Sequence, residues 1–185
     1  MGFSLSWVAV RGKTPAALHS ELGLAPTGAR EEVAESPLVC AALPDGWTLV
    51  LANRTERFVD DALLRRLSTG CELVACSVED HAMVSRASGW ADGRQTWSVD
   101  HDGSDGPPGV EIEGSPPAAL ESIRQHLDES QKSSDGEVDF LYEAPVDLAK
   151  SVTGFRHDDD VPRGGTFEVL RETARRPFWR RLVGR

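Results

Sequence analysis

Four short segments rich in β-forming residues, Glu72–Val78, Ala82–Ser88, Gln95–Asp100 and Val110–Glu113, follow one another with only turn residues between them. No other stretch restricts the fold as much, because the economical arrangement of such a series is a meander of antiparallel strands. Upstream, Phe3–Val10 forms a further β-rich run, after which Thr14 can cap a helix that opens on Pro15 and stops at Gly23. Residues 25–36 are polar, contain Pro26 and Gly28, and are expected to be a connecting loop. Leu38–Leu43 and Trp47–Ala52 flank Pro44-Asp45-Gly46, where Asp-Gly supplies the positive φ angles of a tight hairpin. Phe58, Val59, Ala62, Leu63 and Leu67 recur at helical spacing between a capping Thr55 and Gly70.

Beyond the meander, Ser115-Pro116 starts a helix with Leu120, Ile123 and Leu127 on one apolar face, and Ser130–Gly136 reads as a linker. A short apolar run, Phe140–Tyr142, precedes a helix from Pro145 to Thr153 stopped by Gly154, and a last strand lies near Thr166–Leu170. Helices interspersed with runs of adjacent strands, instead of strict strand–helix alternation, point to the α+β class: a mostly antiparallel sheet with helices packed against it. The expected organisation is a single domain over residues 1–170 followed by a basic amphipathic segment, 171–185.

The hydrophobic class makes up 39% of the 185 residues. A chain of this length buries enough surface for a core without needing disulfides or a metal. Thirty acidic against twenty basic residues give a net charge of −10, which argues against general nucleic-acid binding, since phosphate affinity needs a basic face. The charge is unevenly spread: residues 171–185 hold six arginines against one glutamate, a net +5, and the remainder carries −15. Three cysteines, Cys40, Cys71 and Cys76, form no C-x-x-C pair and suit reduced, inert core thiols of a cytoplasmic protein. The first residues lack the basic and long apolar regions of a secretory signal, and no apolar run is long enough for a membrane span. Gly2 with Ser6 satisfies the myristoylation pattern, but the same residues read better as a buried first strand.

Several groups of residues invite a chemical reading. Gly12-Lys13-Thr14 lies between a strand and a helix like the end of a phosphate-binding loop, but position 7 is Trp where that loop needs glycine. A capped helix start explains the tripeptide. A metal site is conceivable on the central hairpin: if Ala91-Asp92-Gly93 is a three-residue turn, Ala87 faces Trp97, Ser85 faces Val99 and Met83 faces His101. Glu79, His81 and His101 then share a face, with the ligand types of a facial triad for iron or of a catalytic zinc site. A two-residue turn at Asp92-Gly93 would shift the register and send His101 to the other face. A second, weaker cation site is His157 with Asp158 and Asp160, although the alternating pattern of a calcium loop is absent. Ser122 and His126 lack an orienting acid and read as the outer face of a helix. No cofactor is implied.

In the C-terminal segment, Phe178, Trp179, Leu182 and Val183 group on one helical side and Arg175, Arg176, Arg180 and Arg181 lie toward another. Such a segment can lie on an anionic membrane, grip a nucleic-acid backbone, dock into a partner groove, or pack on its own acidic domain. Trp7, Trp47 and Trp97 sit in strand patterns and are expected in the core.

The stretches Leu5-Ser6-Trp7-Val8-Ala9-Val10-Arg11-Gly12-Lys13, Pro145-Val146-Asp147-Leu148-Ala149-Lys150 and Thr153-Gly154-Phe155-Arg156-His157-Asp158 resemble small bacterial proteins of unknown function. That resemblance implies no activity, site or fold. With no convincing catalytic constellation, the favoured reading is a non-enzymatic cytoplasmic protein-binding module that captures a basic partner, of the immunity or inhibitor type. The alternative is a metal-dependent enzyme or metal sensor built on Glu79, His81 and His101.

Overall fold

The structure, a computed structural model, describes residues 2–103, 109–134, 138–159, 161 and 165–173. Among the described residues nine strands form one sheet in which every neighbouring pair is antiparallel. In chain order they are β1 Ser4–Arg11, β2 Leu24–Glu31, β3 Leu38–Ala42, β4 Trp47–Asn53, β5 Glu72–Glu79, β6 Val84–Ala91, β7 Arg94–Asp102, β8 Val110–Gly114 and β9 Phe167–Glu172. Across the sheet the order is β2-β9-β3-β4-β1-β5-β6-β7-β8, so the expected meander, β5 to β8, forms one half. Among the described residues four helices, α1 Pro15–Leu22, α2 Asp61–Leu67, α3 Ala119–Ser133 and α4 Ala144–Thr153, complete an α+β domain. No described helix is long and apolar enough to cross a membrane.

Strand alternation divides the core in two. Leu5, Trp7 and Ala9 of β1 and Val74, Cys76 and Val78 of β5 point to the face covered by α4, a 3₁₀ turn at Phe140–Glu143, and Phe155. Val8, Val10, Leu73 and Ala75 point to the opposite face, where Leu18 and Leu22 of α1 and Leu64 and Leu67 of α2 meet them. All three tryptophans assigned to strands are buried.

Helix α1 is built as its residues dictate: the Thr14 hydroxyl accepts from the Ala17 amide at 3.3 Å, Pro15 opens the first turn and a left-handed Gly23 closes it. Lys13 turns to both carboxylate oxygens of Glu21 and to the Leu67 carbonyl, a structural tie between α1 and α2. Asp45-Gly46 makes the hairpin turn between β3 and β4.

Four local expectations are corrected. Residues 24–31 form an edge strand, β2, paired with β9, in place of a loop. Helix α2 begins only at Asp61, capped by Asp60, whose carboxylate accepts from the Leu63 amide at 2.6 Å; Phe58 lies before it, its amide held by the Ser6 hydroxyl. Helix α3 starts at Ala119 and runs to Ser133, taking in the first residues of the expected linker. Finally, β9 spans Phe167–Glu172, two residues beyond the strand end expected near Leu170.

The central hairpin differs most instructively. Its turn has two residues, Asp92 and Gly93, both at positive φ, so Ala91 pairs with Arg94 and Trp90 with Gln95. A bulge then leaves Thr96 unpaired, and from there Gly89 faces Trp97, Ala87 faces Val99 and Ser85 faces His101. The expected three-residue turn is therefore wrong in every pair, yet the bulge restores the parity that the shorter turn removes. His101 stays on the face of Val99, covered by α4 and the 3₁₀ turn.

Candidate functional site

The most site-like feature follows from how little of the sheet α1 and α2 cover. The core cluster beneath them takes only Trp90 from β6 and nothing from β7 or β8. On that same face, alternation places Ser77 on β5, Arg86 and Ser88 on β6, Ser98 and Asp100 on β7, and Glu111 and Glu113 on β8. Register makes them neighbours: Ser77, Arg86, Asp100 and Glu111 form one row across four strands, and Ser88, Ser98 and Glu113 the next. A cleft of about 230 Å³ opens between this polar floor and the flank of Phe58, Val59 and α2.

Asp61, Asp100 and Glu113 thus line the cleft with Arg86, and Glu111 adjoins Asp100 on the outer strand. Arg86 Nε stands 3.6 Å from Asp100 Oδ1. The Asp100 carboxyl is raised above the usual range, first by burial and further by Glu111 and Glu113, against the pull of Arg86 and the Ser98 hydroxyl. An incoming cation would relieve the repulsion that these three acids impose on one another. No single expectation from sequence assembled this group, although its members were legible as alternate positions of three strands.

The expected metal triad is not assembled. Glu79 ends β5 on the α1/α2 face, in register with Ala75 and Ser77, whereas His101 lies on the opposite face. His81 sits exposed in the turn between β5 and β6, where Met83 at positive φ ends the strand alternation that would have aligned it. His101 is committed elsewhere: its Nδ1–H donates to the Gly109 carbonyl at 2.7 Å, and Asp139 Oδ2 stands 2.9 Å from Nε2. Since a carbonyl only accepts, the proton on Nδ1 is assigned by its partner.

The second expected cation site is also spent on internal pairing. Arg156 reaches Glu143, Asp147 and Asp158, each at 2.6 Å, and Asp159 pairs with Lys150 at 2.8 Å. His157 packs edge-on against Phe3, with ring centroids 4.7 Å apart, and burial holds its pKa below the ordinary value. Asp160 lies outside the described residues. Among the described residues no group of three or more His, Cys, Asp or Glu side chains is placed to hold a metal ion. Ser122 turns its hydroxyl to the Ala119 carbonyl, and His126 is exposed on the outer face of α3. Arg175, Arg176, Phe178, Trp179, Arg180 and Arg181 lie outside the described residues.

One residue that composition did not single out organises the junction of the two layers. Asp80 accepts from the Phe3 amide and from the Tyr142 hydroxyl, each at 2.6 Å. It ties the start of β1 and the turn after β5 to the segment preceding α4.

The cysteines are poor nucleophiles by environment. Burial pushes the Cys40 thiol up to about 11, with the neighbouring Glu168 adding to it, and pushes Cys76 up to about 12; Cys71 is raised by burial as well. None of the three is therefore expected to react with a thiol-specific disulfide reagent in the native protein near neutral pH, and all three to react after denaturation. Rapid titration of even one thiol in the native state would contradict this.

Comparison with known proteins finds no matching family model, no matching curated protein and no matching solved structure.

Proposed function

We propose that this chain is a non-enzymatic protein-binding module of the cytoplasm that captures a basic partner, acting in the manner of an inhibitor or immunity protein. The observation that carries the reading is the half of the sheet's face that α1 and α2 leave uncovered among the described residues, where Asp100 and Glu113 line a cleft with Arg86 and Glu111 adjoins Asp100. The surrounding charge supports it: the whole chain carries −10, so the field around the cleft favours the approach of a cation over a long range. The three free thiols suit a reducing compartment.

The reading predicts that a short arginine-rich peptide binds with a stoichiometry of one and that its affinity falls steeply between low and physiological salt. Calorimetric titration of the D100N/E111Q/E113Q variant should show a loss of affinity of about tenfold or more. Equal binding by the variant, or binding insensitive to salt, would remove the argument.

A further inference from the structure

The sheet has two edges, and they are not equivalent. At one end, β2 carries Pro26, and its pairing with β9 is interrupted by an irregularity between Pro26 and Arg30, both devices that spoil an edge as a template for another strand. At the other end, β8 is regular: its five residues, Val110 to Gly114, pair with β7 without a break, from His101 at one end to Trp97 at the other. It contains no proline, and among the described residues nothing pairs with its outer side.

The side chains of β8 select what could pair there. Val110 and Ile112 project to the α4 face, where Ile112 is 38% exposed although its neighbour Val99 is fully buried. Glu111 and Glu113 project to the other face, beside Asp100 and Ser98. A second copy of β8 is a poor match: centred antiparallel pairing sets Glu111 opposite Glu113 twice, and a shift by one sets each glutamate against an apolar residue. An extended segment with arginine or lysine at alternate positions and apolar residues between them answers both faces at once.

We infer that β8 is the docking edge for the basic partner, which adds an extended strand to the sheet with its cations over Glu111 and Glu113 and its apolar side chains beside Val110 and Ile112. This rests on the proposed capture of a basic partner and specifies its mode: backbone hydrogen bonds along β8 supply the alignment and the acidic cleft supplies the sign of charge. The raised Asp100 carboxyl accords with it, because a cation over Glu111 would also face Asp100.

The test uses the full chain and three synthetic peptides: one alternating arginine with valine, a second of identical sequence with its backbone amides N-methylated at alternate residues, and a third alternating glutamate with valine. The arginine–valine peptide is expected to bind at least tenfold more tightly than the N-methylated one and to slow hydrogen exchange of β8 amides, read by NMR. In the E111K/E113K variant, whose changes fall on exposed side chains, preference should invert toward the glutamate–valine peptide. If the two arginine peptides bind equally and without protecting β8, strand addition is wrong while capture of a basic partner stands. If neither binds, both readings fall.

Discussion

Replacing Gly89 with alanine is expected to destabilise the protein by about 3 kcal/mol, the upper part of the range for overpacking a filled site. Gly89 lies opposite Trp97 in the β6–β7 ladder, and a β-carbon built on it would come within 2.1 Å of the indole Nε1 and 2.3 Å of Cε2. The obstacle is a rigid bicyclic ring, 7% exposed and seated in the core, so no flexible side-chain end can move aside. For a chain of this length that loss corresponds to a fall in Tm of roughly 6–12 °C, measurable by calorimetry. The same change in a Trp97→Phe background should cost clearly less than in the wild type, because the clash and the ring are one interaction. Strict additivity would sink the explanation.

The second large effect is expected at Arg156. Its guanidinium, with only 18% of the side chain exposed, meets carboxylates from Glu143, Asp147 and Asp158. Arg156→Met keeps much of the stem's packing and removes the charge, leaving three acids facing one another; the expected loss is about 3 kcal/mol at neutral pH, the low end for a broken buried pair because the acids are each about a third exposed. The pH dependence separates this from a packing defect. In the wild type, burial raises the Asp158 carboxyl, but the hydrogen bond and charge of Arg156 outweigh it and hold it below the usual range. A carboxyl depressed on folding contributes stability above its unfolded value, and that contribution disappears as pH falls through the folded value. Without the cation nothing offsets the burial that raises the Asp158 carboxyl, nor that which already raises Glu143 in the wild type, so the variant's deficit should shrink by half or more between pH 7 and about pH 4.5, near the unfolded carboxyl range. Urea denaturation at the two pH values measures it. A deficit that stays constant across that range would point to packing alone.

How far the fold could be read beforehand depended on where each element's determinants lie. Strand β1 and helix α1 carry theirs locally, in Thr14, Pro15 and Gly23, and the hairpin between β3 and β4 is announced by its Asp-Gly turn. Strand β2 carries almost nothing of its own: it has one buried apolar residue, Leu24, holds both Pro26 and Gly28, and exists through pairing with β9 at the far end of the chain. Non-local pairing of this kind leaves no trace in a window of residues. The start of α2 was obscured because Phe58 fits the helical pattern yet is buried ahead of the helix, with its amide already taken by Ser6. At the end of α3, Ser130 and Ser133 look like linker residues but return their hydroxyls to the His126 and Glu129 carbonyls within the helix.

The candidate site divides along the same line. His101 is a chemically able side chain, but its partners, Gly109 and Asp139, lie across a loop and beyond a helix, so the sequence around it is the same for a ligand as for a locked structural histidine. The acidic row of Asp100, Glu111 and Glu113 needs only register to appear, and register was the quantity that depended on a bulge. Burial of Cys40, Cys76, Trp7, Trp47 and Trp97 agrees with their strand positions, whereas Cys71 is buried just ahead of β5.

The two-residue turn at Asp92-Gly93 and the unpaired Thr96 also limit how this hairpin can change length over evolutionary time. Each contributes an odd step to the count that decides which side chains face α4, and only their combination leaves Trp97, Val99 and His101 on the inner face. Losing one residue near the tip would turn Ser98 and Asp100 inward and carry His101 out to solvent. Insertions and deletions here can therefore persist only in compensating pairs, which makes the hairpin a frame-keeping element whose length is as constrained as its residues.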